Sequence, residues 1–215
     1  MFKALKEYMH KKDNFTPKQF ISYICGIFYV SGIFGFIYET LFYIINNEAY
    51  TRRGSQFGPW IQIYGLGGLV IFLMCIKIKD KPLLVFILSG AVCGALEYLA
   101  GYLMEMTGSP RTWDYNVEIW NWGNINGFIC IRSVLFFAVS GLFLIYIVFP
   151  ILLWIESRLS ARAFFLIMVI PALIFAADIA YNDGISKAIG SPDAMQLYEK
   201  SGWYDQVATF TPPSK

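Results

Sequence analysis

Five stretches of the chain are apolar over the thickness of a lipid bilayer, and this limits its fold more than any other feature. A helix needs about 20 mainly apolar residues to cross the roughly 30 Å hydrocarbon layer. Phe20–Ile45, Trp60–Ile76, Pro82–Met104, Phe128–Trp154 and Ala163–Tyr181 fit, the second being short. Pro150 breaks the fourth stretch late, and Pro171 lies inside the fifth. Both are tolerable, because neighbouring groups in a bundle satisfy the carbonyl that a proline frees. The alternating pattern of barrel strands is absent. Composition agrees: 57% of residues are AVILMFWYC and 15% are charged, with mean hydropathy +0.52. A water-exposed domain carries about 25% charge. A disordered chain, a basic nucleic-acid-binding domain and a secreted disulfide scaffold are excluded. A net charge of +2 calls for no nucleic acid and no strongly charged partner. The expected fold is all-α, a polytopic membrane bundle of about five helices whose partner is the lipid bilayer.

Lys and Arg concentrate on the cytoplasmic side of membrane proteins. An N-terminus inside places ten of them on the cytoplasmic side and six outside, Arg132 falling within a span. Five spans then put the C-terminus outside. Residues 1–181 form the bundle, opening with a short amphipathic helix over Met1–Lys12 that aligns Phe2, Leu5 and Met9. Residues 182–215 form a polar extracytoplasmic tail, in which Ser191-Pro192-Asp193 starts a short helix. Thr16-Pro17 reads as an N-cap and first-turn proline ahead of the first span. No cleavable signal peptide is expected, since the first apolar stretch is too long and starts too late.

Little conventional catalytic chemistry is available. Cys25, Cys75, Cys93 and Cys130 sit in or at the ends of spans, where free thiols pack as small apolar groups. The single histidine, His10, lies outside the spans, which argues against zinc chemistry and a Ser-His hydrolase. No GxxxxGK[ST] is present, so the chain carries no P-loop. Neither a metal nor a cofactor is expected.

Ionisable residues inside spans are costly and mark function or tight pairing. Glu39, Glu97, Glu105, Arg132 and Asp178 all fall in the outer half of the membrane or at its outer boundary, and this common depth suggests one polar site. In the third span Gly90, Gly94, Glu97, Gly101 and Glu105 share a stripe, as do Gly32, Gly35 and Glu39 in the first. Small residues let helices approach closely, so Glu97 should face a helix rather than lipid. Four carboxylates against one arginine leave three excess negative charges, which demand protons, loop arginines or a cationic ligand. Glu97 and Arg132 are the expected ion pair. Spans one and two with their loop, and spans three and four with theirs, read as two copies of one device.

The outer loops supply further candidates. Arg52-Arg53-Gly54 and Gly58-Pro59-Trp60 lead to Tyr64, while Trp113-Asp114-Tyr115 precedes Asn124-Ile125-Asn126-Gly127. Gly and Asn-Gly mark tight turns, and Trp and Tyr suit the headgroup level. The candidate binding set is Arg53, Tyr64, Trp113, Asp114, Tyr115, Asn124 and Asn126, together with the five ionisable residues of the spans.

The run Gly35-Phe36-Ile37-Tyr38-Glu39, Arg53-Gly54, Gly58-Pro59, Ile63-Tyr64-Gly65-Leu66-Gly67, Glu97-Tyr98, Trp113-Asp114-Tyr115, Asn124-Ile125-Asn126-Gly127 and Cys130-Ile131 resembles the putative ABC-transporter type IV family. These are small bacterial multi-pass proteins labelled as permeases. The resemblance covers roughly Gly26–Pro150. It departs at Phe128, where the family commonly has arginine, and at Trp60-Ile61-Gln62. It implies a bacterial inner membrane and a link to transport.

Three functions fit the residues. The first is a permease-like protein that binds or passes a small polar, cationic or proton-coupled solute, as an oligomer or with partner transporter subunits, since five spans are few for a complete transporter. The second is a membrane enzyme acting on a lipid or envelope precursor, with Glu39 and Glu97 in acid/base roles. The third is an accessory subunit of a membrane complex.

Overall fold

The computed structural model describes Tyr8 and residues 14–47, 52–108 and 111–200. The amphipathic helix expected over Met1–Lys12 lies, apart from Tyr8, outside the described residues. The main elements are α1 (Pro17–Asn47), α2 (Gln62–Cys75), α3 (Pro82–Thr107), α4 (Ile131–Phe143), α5 (Phe149–Arg158), α6 (Ala161–Ala180), α7 (Ser186–Ile189) and α8 (Ala194–Lys200). Among the described residues there is no strand, only an isolated bridge between Ile125 and Ile129. This is the all-α membrane bundle that the apolar stretches imply.

Local sequence sets the helix ends. Thr16 caps α1: its Oγ1 accepts from the Gln19 amide at 3.3 Å, and Gln19 Oε1 accepts from the Thr16 amide at 3.0 Å. Ser160 caps α6 by accepting from the Ala163 amide. Gly108 closes α3 in the left-handed conformation, φ 66°. Asp193 opens α8, as its place after Ser191-Pro192 predicts, by accepting from the Gln196 amide at 2.9 Å. Pro150 does not break its span. A π-turn over Leu144–Val148 joins α4 to α5, so the helix runs continuously over Ile131–Arg158. The wider turn accommodates the missing amide of Pro150. A second π-turn, Tyr181–Ile185, extends α6 to Ile189.

Among the described residues four helices are long and apolar enough to cross a membrane: Pro17–Ile45, Pro82–Thr107, Ile131–Arg158 and Ala161–Ile189. Gln62–Ile78 is apolar but shorter, with a length of roughly 25 Å. No more than 33% of any long span is buried within the bundle. Leu41, Leu83, Leu99 and Leu173 are each at least half exposed, a surface suited to lipid.

Close packing fixes the helix directions. Gly35 meets Tyr64, and Gly68 meets Ser31 and Ile27, so α2 runs antiparallel to α1. Gly101 meets Phe128, and Gly90 meets Val134 and Ala138, so α4 runs antiparallel to α3. Gly26 meets Met168 and Gly32 meets Phe175, so α6 runs parallel to α1. The loops 52–61 and 111–130 and the end of α6 therefore share one end of the bundle, called here the loop end. Lys18, Lys77, Lys79, Lys81, Arg158 and Arg162 gather at the other. The apolar core, with Tyr23, Phe72, Phe149, Phe164 and Met168, lies toward that basic end. Cys25, Cys75, Cys93 and Cys130 are free thiols, the last three buried.

Candidate functional site

A chain of charged and aromatic side chains crosses the loop end, drawn from α1, α3, α4 and both loops. It starts on α1, where Glu39 Oε2 accepts from Arg53 Nε at 2.7 Å. The Arg53 guanidinium lies 4.0 Å from the Tyr43 ring centre, and its Nη2 donates to the Thr112 carbonyl. Tyr43 donates to Glu118 Oε1 at 2.7 Å. Arg132 Nη2 donates to Glu118 Oε2 at 2.6 Å. The Arg132 guanidinium in turn covers the rings of Phe42 and Tyr115, at 4.1 and 5.2 Å. Tyr115 donates to Glu97 Oε1 at 2.7 Å, which closes the chain on α3.

These groups are out of water. Side-chain exposure is 12% for Arg53, 17% for Glu39, 13% for Arg132 and 3% for Glu118. Burial pushes the Tyr115 phenol well above its usual range, and the adjacent Glu97 carboxylate adds to the shift. Tyr115 therefore stays a hydroxyl donor. Glu97 is 9% exposed, and its second oxygen, Oε2, has no hydrogen-bond partner among the described residues. Ser133 stands beside this carboxylate, but its hydroxyl donates to the Cys130 carbonyl at 2.9 Å. An unsatisfied buried carboxylate oxygen is costly, so its environment invites a proton or a cation.

The structure brings Glu39, Arg53, Tyr64, Glu97, Tyr115 and Arg132 together. Tyr64 sits half-buried against the Gly35 face, within electrostatic range of both Glu39 and Glu97. The expected Glu97–Arg132 ion pair does not form. Arg132 is held by Glu118, because the second loop folds back and lays that carboxylate over the start of α4. Glu97 pairs with a phenol instead.

The other candidates lie apart from this chain, so the single site expected from their common depth is divided. Glu105 ends the stripe in the open, 58% exposed, bridged to Arg111. Arg111 also reaches Asp114 at 3.5 Å and the Asn126 carbonyl at 3.3 Å. Asp114 accepts from Asn116, and Asn124 accepts from the Gly127 amide and donates to Asn116. Asn126 donates to the Tyr98 hydroxyl and Trp113 to the Phe128 carbonyl. Trp113, Asp114, Asn124 and Asn126 thus knit the second loop into a cap over α3 and α4. Asp178 clamps the first loop: its carboxylate accepts from the Phe57 and Gly58 amides and from Trp60 Nε1, at 2.8–3.0 Å. Arg52 holds the same turn from its carbonyl side, donating to Gln56, Phe57 and Gly58.

Sequence reasoning missed Glu118 and Tyr43. Tyr43 was within reach, since it stands one turn from Glu39 on the same face of α1. Glu118 sits in an irregular loop, where no periodicity reports burial. Among the described residues no group of three or more His, Cys, Asp and Glu is placed to hold a metal.

Fold and site together define a polytopic helical membrane protein with a buried acidic network at one end of the bundle. The chain belongs to the family described as Putative ABC-transporter type IV, whose profile matches residues 26–182. The family is of membrane-transporter type, in keeping with the apolar helices. No curated protein and no solved structure matches the chain.

Proposed function

We propose that the protein is a permease-like component of the bacterial inner membrane whose loop-end network binds a small cationic or proton-coupled solute. In this reading the chain makes five passes, with the short α2 as the second, its N-terminus cytoplasmic and its loop end outside. The basic residues at the opposite end favour that orientation. The observation that carries the reading is Glu97, a carboxylate within a span, 9% exposed, with one oxygen unpartnered. Intramembrane carboxylates of this kind serve ion and proton pathways.

Charge supports the same reading. Glu39, Glu97 and Glu118 face Arg53 and Arg132, so a fully ionised network has one negative charge in excess. A proton or monovalent cation at Glu97 removes it. The loops are the gate: Asp178 fastens the first and Arg111 the second. A bundle of five helices is small for a whole transporter, so it works as an oligomer or with partner subunits.

The test is flux in proteoliposomes. Wild-type protein should conduct protons or a small cation inward or outward under an imposed gradient. Glu97→Gln should abolish that flux, and Glu105→Gln, a change at an exposed position, should leave it. Equal flux in wild type and Glu97→Gln contradicts the reading. A changed lipid profile in cells lacking the protein, without any flux, would replace it by the enzymatic one.

A further inference from the structure

The two halves of the bundle carry the same residues at constant spacing. Ser31 and Ser89, Gly32 and Gly90, Glu39 and Glu97, and Arg53 and Arg111 are each 58 positions apart. The two serines have the same packing role. A Cβ on Gly68 of α2 would collide with Ser31, and a Cβ on Gly141 of α4 would collide with Ser89. The register matches α1 to α3, and the serine–glycine packing matches α2 to α4; α1 with α2 and α3 with α4 are each antiparallel.

The charged members of the register have diverged. In the first half Arg53 reaches back to Glu39 at 2.7 Å and stacks on Tyr43. In the second half Arg111 turns outward to Glu105 and Asp114 and stacks on Phe128. Glu97 is left without the arginine that its counterpart holds. Arg132, a cation within its electrostatic reach, is committed to Glu118. Glu97 keeps Tyr115 on Oε1, while Oε2 is buried and unpartnered in a residue 9% exposed.

We propose that Glu97 is the anchor of a site for an organic cation with several N–H donors, a guanidinium or primary ammonium head, which takes in the second half the place that Arg53 takes in the first. This rests on the reading of the network as a solute site and names the solute class. Planar N–H donors match a carboxylate, as Arg53 does on Glu39. Tyr115, hydrogen-bonded to Glu97, already presents its ring to one guanidinium, that of Arg132 at 5.2 Å, so the surroundings of the carboxylate suit a cation. A single positive charge neutralises the network, whereas a dication would overcharge it beside Arg132.

The test uses the full chain in nanodiscs, titrated with methylguanidinium chloride and ethylammonium chloride. Sodium chloride and tetramethylammonium chloride at equal ionic strength are the controls, the latter a cation without N–H donors. Methylguanidinium should raise the melting temperature saturably, ethylammonium more weakly, and the controls not at all. Glu97→Gln should weaken the apparent affinity by about 10- to 100-fold, the loss of one charged hydrogen bond. Glu97→Asp, which keeps the charge, should retain a saturable response and guards against a folding defect in the amide variant. Arg53→Ala exposes the template, and methylguanidinium should restore part of its lost thermal stability through Glu39. No saturable response in the wild type, an equal response to tetramethylammonium, an unchanged affinity in Glu97→Gln, or no rescue of Arg53→Ala overturns the proposal. Proton flux that depends on Glu97 without any response to methylguanidinium overturns this proposal alone, whereas loss of both removes the solute reading as well.

Discussion

Replacing Glu118 by glutamine removes the negative charge, and one of the two acceptor oxygens, that join Tyr43 to Arg132, and the consequence can be sized from the structure. Glu118 has 3% side-chain exposure and Arg132 13%, with 2.6 Å between them. Arg132 Nε already lacks a hydrogen-bond partner, so Glu118 carries most of the compensation for this buried charge. Breaking one side of a buried pair typically costs about 3–5 kcal/mol, because the other charge is stranded. For a chain of this size that corresponds to a fall of on the order of 10 °C in melting temperature. Arg132→Gln should cost a similar amount. The double variant strands no charge and should recover part of the loss, with a coupling of about 0.5–3 kcal/mol. The assay is thermal unfolding of purified protein in detergent, followed by tryptophan fluorescence across the four-variant cycle. A parallel cycle with Glu97→Gln and Arg132→Gln should show smaller coupling, since those groups make no salt bridge. Strict additivity in the Glu118 cycle, or larger coupling in the Glu97 cycle, would refute the geometry.

Tyr115→Phe should leave Glu97 without its hydrogen bond and cost about 1.5–3 kcal/mol, read as a lower melting temperature. Gly35→Ala should destabilise by about 1–3 kcal/mol, since its Cβ would run into the Tyr64 ring. Gly67→Ala, with open space around it, should be neutral or stabilising by up to about 1 kcal/mol in the same measurement. Asp178→Asn should loosen the first loop, so hydrogen exchange at the Phe57 and Gly58 amides should accelerate by about tenfold or more, as befits loss of a charged acceptor. A cysteine introduced at Asn116 should react with an impermeant thiol reagent in intact cells, and one at Ser157 only after permeabilisation, if the loop end is outside.

The bundle was plain in the sequence because hydrocarbon imposes a length and a composition on whatever crosses it. The Thr16 cap and the Asp193 start followed from side chains acting on neighbouring amides. Pro150 misled at its own position, because the π-turn that absorbs it depends on packing and leaves no local pattern. Within the site, Glu39, Glu97 and Arg132 were visible as charges in apolar surroundings. Their partners were not, since pairing depends on where loops of irregular backbone come to rest. Arg132 faces Glu118 rather than Glu97 for that reason, and Asp178 spends its carboxylate on loop amides rather than on a solute. The equal depth of five residues on four helices fixed a level in the bundle and left open which faces meet there.

The most direct measurement is an experimental structure of the protein in nanodiscs, determined by electron cryomicroscopy with and without saturating methylguanidinium. The account predicts ligand density within hydrogen-bonding distance of Glu97 Oε2, beside Tyr115, with Arg53 still on Glu39 and Arg132 still on Glu118. A ligand-saturated map with Glu97 turned to lipid, or with Arg111 or Arg132 bridged to it and no added density, would contradict the account.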